Sequence, residues 1–216
     1  MVAPENILQN PWTLWFETRP EENGASSLIY QDRLAEICSM VSVEQFHQYY
    51  SYMKKPDSLP VHSTVYVFRD RVRPMWESFP EGGCWTFAIP RGSDRLNGAW
   101  ERLVFSCIGE GLGSNNVAGI VVGSRVREFV LSVWLVSGQS SGDRFEVMNH
   151  LRELWQLKEG DIIQYKDFHS AVQDDSARLN AVSYRVRAPG NTKGHVERKK
   201  KFILPDPVCG SFAFKY

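Results

Sequence analysis

Val117-Ala118-Gly119-Ile120-Val121-Val122 and Phe129-Val130-Leu131-Ser132-Val133-Trp134-Leu135-Val136 are two β-rich runs, separated by a short charged segment, Arg125-Val126-Arg127-Glu128. Such runs joined by a short polar turn read as a β-hairpin, so the chain contains antiparallel sheet. Upstream, Cys84-Trp85-Thr86-Phe87-Ala88-Ile89 and Ser63-Thr64-Val65-Tyr66-Val67-Phe68 are also strand-like. Trp12-Thr13-Leu14-Trp15-Phe16 alternates, which puts Trp12, Leu14 and Phe16 on one face. Three helical patterns interrupt the strands. Ser42-Val43-Glu44-Gln45 reads as a capping box, and Val43, Phe46, Tyr50 and Met53 after it form an apolar stripe. Residues 93–108 repeat apolar residues at Leu96, Trp100, Leu103 or Val104, and Cys107; residues 144–157 do so at Phe145, Met148, Leu151 and Trp155. A further strand is expected over 161–168. A polar leader is expected over residues 1–8, and a long loop over about 170–195. The order predicts an α+β fold in which one antiparallel sheet carries helices on one face and leaves the other open to bind.

At 216 residues, without internal repeats, the chain is expected to form a single domain over 1–216. Lys+Arg and Asp+Glu both number 25, so global attraction to nucleic acid or membrane is unsupported and any anion site must be local. No apolar run is long enough for a transmembrane helix, and the N-terminus lacks a signal-peptide pattern. Cys38, Cys84, Cys107 and Cys209 are scattered without C-x-x-C pairs, which fits reduced thiols in the cytosol. Five histidines show no metal-ligand spacing, and no catalytic pair stands out. Neither a cofactor nor a metal is expected. Seven Trp, eight Tyr and twelve Phe are many for one domain, and some of those rings are expected to serve binding rather than packing.

Arg73-Pro74-Met75-Trp76-Glu77 places an aromatic ring beside a carboxylate after a proline turn. A ring can stack on a flat base while the carboxylate accepts hydrogen bonds from its edge; a Trp after Pro can equally anchor a loop in the core. Arg125 and Arg127, two apart at a strand end, are expected on one face, matched to phosphate or else solvated beside Glu128. Lys199-Lys200-Lys201 is either a solvated basic tail or a phosphate contact. Gly109-Glu110-Gly111-Leu112-Gly113 leaves a helix and enters a strand, so it reads as a helix-ending loop rather than a phosphate loop.

Together these stretches resemble the translation initiation factor 4E family of messenger-RNA cap-binding proteins. The resemblance runs over residues 8–169: Leu8-Gln9-Asn10-Pro11-Trp12 at the first strand, Val43-Glu44-Gln45-Phe46 at the first helix, Pro74-Met75-Trp76-Glu77 at the cap-binding loop, Gly82-Gly83-Cys84-Trp85 after it, Ile108-Gly109-Glu110, and the hairpin ending at Trp134. It implies a curved antiparallel sheet with three helices on its convex face and a ligand slot on the concave one. It further implies that Trp76 and Tyr30 sandwich 7-methylguanine, Glu77 binds the base edge, Trp134 borders the methyl group, and Arg125 and Arg127 hold phosphates. Tyr30 and His47 both stand where commoner members carry Trp, and Cys84 where relatives often carry a basic residue. The implied partners are capped messenger RNA and, on a dorsal surface of Val43, His47, Phe105 and Gly109, a scaffold of the initiation factor 4G type or another 4E-interacting protein. The implied activity is binding, not catalysis, in the cytoplasm and without a membrane. A cap-binding repressor that does not recruit the scaffold is one alternative, and a nucleotide- or cap-processing enzyme another.

Overall fold

Alternation along a strand sorts its residues into two faces. The computed structural model describes residues 5–18 and 30–186. It assembles eight strands into one sheet: β1 (Ile7–Thr18), β2 (Leu34–Ser42), β3 (Ser63–Arg69), β4 (Gly83–Pro90), β5 (Val117–Ser124), β6 (Glu128–Leu135), β7 (Ile162–Asp167) and β8 (Val182–Arg185). The order is β2-β1-β3-β5-β6-β4-β7-β8, with every neighbouring pair antiparallel. The helices are α1 (Tyr30–Arg33), α2 (Val43–Tyr52), α3 (Arg95–Ile108), α4 (Ser141–Leu154) and α5 (Phe168–Asp174), with a 3-10 turn at Trp76–Ser78 among the connections.

One face is the main core. Phe46 of α2, Leu103 of α3 and Leu151 of α4 meet Leu14, Val67, Phe87 and Leu131 of the sheet, all in one buried cluster. Fully burying a side chain such as Leu131 is worth ~1.5–3 kcal/mol. The opposite face holds a smaller aromatic cluster around Trp15, Tyr66, Phe68 and Trp134, with Phe168 and Ala171 of α5 laid on it. Gly119 is required where β5 crosses Phe68 of β3, because a Cβ there would overlap the Phe68 ring opposite it.

The expected antiparallel sheet forms, with α2, α3 and α4 on one face; α5 lies on the other face, which was expected to be open. The three expected helices are α2, α3 and α4, and two short helices add to them. The capping box forms at Ser42 as expected, with Ser42 Oγ accepting from Gln45 N at 3.3 Å; only the return bond shifts by one residue, Gln45 Oε1 accepting from Val41 N at 2.9 Å. Gly109-Glu110-Gly111 ends α3 as expected, with Gly109 as its cap and Glu110 in the left-handed region at φ 56°.

Three expectations change, and one strand, β2, adds to those expected. Val43 is 47% exposed rather than inward, because it is the first residue of α2 and the stripe begins at Phe46. Strand β2 carries Cys38 and Met40 toward the core but also exposes Ile37 and Val41, so apolar residues on both faces erase its alternation. The leader expected over 1–8 already pairs from Ile7, opposite Ser42. Within the loop expected over 170–195, α5 and β8 form instead: Asp167 caps α5 by accepting from Ser170 N at 2.8 Å, and β8 pairs with β7 from Val182 to Arg185.

Candidate functional site

The loop between β3 and β4 is pinned on both sides of Trp76. Pro74 is buried before it, and Phe79 after it inserts 6.1 Å from Phe68 and 6.3 Å from Trp134. Phe79 N donates to Trp76 O at 2.9 Å, and Phe168 N reaches back to Gly82 O at 2.9 Å, which ties the loop to α5. Trp76 is therefore left half-buried against the aromatic cluster, and the neighbouring Glu77 is exposed. A ring held against a hydrophobic floor beside an exposed carboxylate is what stacking plus edge recognition requires.

Trp134 lies below, 4.5 Å from Phe168 and 5.2 Å from Phe68. It is 7% exposed, so only a small part of the side chain can meet a ligand. Along β6 the same face continues through Ser132, whose hydroxyl is 3.3 Å from that of Thr86 on β4. Cys84 stands opposite Trp134 on β4, and burial pushes its thiol up to about 11, so it is a neutral packing group. On the other side of Cys84 is Lys166, 2% exposed, which donates to Asp174 and to Leu179 O. The basic residue missing at position 84 thus has a buried neighbour that is engaged internally.

The far end of β6 is basic. Arg125 and Arg127 occupy the turn between β5 and β6, closed by Arg125 N donating to Glu128 O at 2.9 Å, and are not paired strand positions as expected. Arg125 folds back over Gly123 and donates to Ser63 O and Thr64 Oγ1, each at 3.3 Å, while Arg127 is exposed. Arg91 braces the turn from β4, with Nε 2.7 Å from Arg125 O and its guanidinium 4.4 Å over Phe129. Glu128 pairs with Arg178 at 2.6 Å. Glu128 and Trp134 are six residues apart along one strand, roughly 20 Å, so aromatic and basic groups mark the two ends of an elongated site.

Tyr30 begins α1, and its side chain lies outside the described residues, as do Lys199, Lys200 and Lys201. Across the sheet, Val43, His47, Phe105 and Gly109 are all exposed on the helical side; Phe105, 52% exposed, packs its ring 5.5 Å from Phe46 and 5.3 Å from Tyr50. A cavity of about 520 Å³ opens at the β1–β2 edge beside Pro11, Val41 and Arg71, away from these rings. Sequence reading passed over Glu17, Lys166 and Arg178. For Glu17 and Lys166 the available signal was a charged residue on the non-core face of a strand, which ordinarily reads as solvated, and Arg178 lies in the stretch read as a loop.

The model of the eukaryotic initiation factor 4E family matches residues 7–182. The chain belongs to that family. It is 30% identical over 180 residues to eukaryotic translation initiation factor NCBP of Oryza sativa subsp. japonica, covering 80% of this chain and 76% of that protein. Identity to initiation factor 4E1 of Drosophila melanogaster is 29% over 163 residues, 74% of this chain and 61% of that protein. Among solved structures, Ascaris suum eIF4E-3 with an m2,2,7G cap superposes with a TM-score of 0.70 at 23% identity, covering 76% of this chain and 92% of that one. C. elegans eIF4E-3 with the 4E-binding protein Mextli and a cap analogue gives 0.71 at 22% identity, covering 79% and 96%. For this member of the 4E family, those two likenesses speak to the fold.

Proposed function

We propose that this chain binds the 7-methylguanosine cap of messenger RNA in translation initiation, with Trp76 and Tyr30 as the two faces of a sandwich around the base. Glu77 accepts the base-edge N–H groups, Trp134 borders the methyl group, and Arg125 and Arg127 take the phosphates. The observation that carries the reading is the pinned turn that leaves Trp76 half-buried over an aromatic floor with Glu77 exposed beside it. Solved relatives hold m2,2,7G and m7G caps.

The energetics favour a methylated base. Methylation at N7 makes guanine cationic, adding cation–π attraction of up to ~2 kcal/mol to a stacking term of ~1–3 kcal/mol per base. Hydrogen bonds to a carboxylate add roughly 1.5–3 kcal/mol each at best. After association costs, a micromolar constant, ~8 kcal/mol, is expected. Tyr is a weaker cation–π platform than Trp, so Tyr30 gives looser binding of a simple cap or room for a more heavily methylated one. Binding of this kind breaks no bond and needs no nucleophile.

We place the protein in the cytoplasm, where capped messages are translated, with a 4E-interacting protein on the exposed patch of Val43, His47, Phe105 and Gly109. C. elegans eIF4E-3 is solved with such a partner, Mextli. His47 in place of Trp favours a second reading, a cap-binding repressor that does not recruit the usual scaffold. Retention on a 7-methyl-GTP resin tests the main reading: elution by methylated but not by unmethylated cap analogue is expected, and failure to be retained contradicts it.

A further inference from the structure

Glu17 is the acid that the cap-binding reading leaves unused. It sits on β1 on the same face as Trp15, which is the face of the site, and is 3% exposed. Its neighbours across the sheet are Leu34 on β2 and Thr64 on β3. A carboxylate is seldom buried in a strand unless it is paired and hydrogen-bonded. Tyr66 Oη donates to Glu17 Oε2 at 2.9 Å, and Arg33 Nε lies 3.4 Å from Glu17 Oε1.

Arg33 gives this pairing its meaning. It is the last residue of α1, and Tyr30 is the first. A helix of four residues cannot hold itself by its own hydrogen bonds and must be held by what it touches. Among the described residues, α1 is tied to the sheet by the Arg33–Glu17 pair and by Leu34 after it, which packs on the aromatic cluster that also supports Trp76. Thr64, beside Glu17, accepts from Arg125, so the same row of the sheet touches the phosphate end of the site.

We propose that Glu17 is a positioning residue of the cap slot, which through Arg33 anchors α1, the helix that begins at Tyr30, to the sheet. The inference rests on the cap-binding reading. Glu17 does not touch the ligand; it fixes one wall, and Tyr66 fixes Glu17.

A double-mutant cycle tests it, with 7-methyl-GTP as the probe and calorimetric titration as the readout. Glu17→Gln keeps the shape and removes the charge. In the wild-type background it is expected to weaken binding roughly three- to tenfold, and in a Tyr30→Ala background by less than about twofold, because contacting or coupled residues are not additive. A purely structural ion pair would instead lower the unfolding temperature and leave the affinity of folded protein alone. An equal penalty in both backgrounds, or no penalty in either, overturns the inference. If Glu17→Gln does not fold, Arg33→Gln put through the same cycle reads the same coupling from the exposed side of the pair. Binding by the wild type separates the two claims: if it fails to bind 7-methyl-GTP, the cap reading falls and the inference with it, whereas normal wild-type binding with an additive cycle removes only the role of Glu17.

Discussion

Trp76 and Trp134 present the same side chain in unlike surroundings. Trp76 is half-buried on a turn whose two anchors, Pro74 and Phe79, lie outside it in sequence; Trp134 is enclosed by Phe68, Phe79 and Phe168. Substitution therefore separates binding from folding. Trp76→Ala removes one stacking face, which is worth a ~5- to 150-fold loss of affinity for 7-methyl-GTP, and changes the unfolding free energy by about 1 kcal/mol or less. Trp134→Ala empties the centre of the cluster and costs ~3–5 kcal/mol of stability. Titration and urea unfolding of both variants check this, and the reverse pattern would assign Trp76 to the core. The Trp76–Glu77 pair was legible in the sequence because ring and carboxylate are adjacent there. The seat of Arg125 on Ser63 O and Thr64 was not, since it depends on β3 lying beside β5, a register that no local pattern encodes.

At the scale of elements, β1, β3 to β7 and α2 to α4 were legible, the strands as runs rich in β-branched and aromatic residues and the helices as apolar stripes. Those that escaped have physical reasons for doing so. Strand β2 opens with exposed Ala35, Glu36 and Ile37 before Cys38 and Met40 turn inward, α5 has seven residues and buries only Phe168 and Ala171, and β8 has four residues. Residues 175–181 are held by side chains as well as by backbone. Lys166 donates to Asp174 and to Leu179 O, Asn180 Nδ2 lies 3.2 Å from Asp174, and Arg178 pairs with Glu128. The hydrogen bond from Lys166 holds the Asp174 carboxyl below the usual carboxylate range. A depressed folded value means that the stabilisation is fully present above the unfolded value of ~3.9 and is lost as pH falls through the lower folded one. Amide exchange over 175–181 is accordingly expected to rise, beyond the intrinsic pH effect, on going from about pH 6 to below about pH 3. Asp174→Asn is expected to remove that pH dependence. Protection that is unchanged at low pH would show that the Lys166–Asp174 pair does not hold the segment.

For the whole molecule, the sequence carried the α+β class and the β5–β6 hairpin but not the order of the sheet. Placing β4 between β6 and β7 is a matter of long-range pairing, Cys84 opposite Trp134 on one side and Lys166 on the other. The zero net charge was informative in another way: it required any anion site to be local. Arg91, Arg125, Arg127 and Arg178 gather at one end of β6 and the aromatic cluster at the other, so a molecule that is cationic at its base and anionic at its phosphates matches the polarity of the face. On the cap-binding reading, this face selects the cation. Titration of intrinsic Trp fluorescence with 7-methyl-GTP and with GTP tests that selection. Quenching by 7-methyl-GTP with a micromolar-range constant is expected, with GTP binding weaker by about tenfold or more, because the unmethylated base forfeits cation–π attraction at both rings. Equal affinity for the two nucleotides, or no quenching by either, would contradict it.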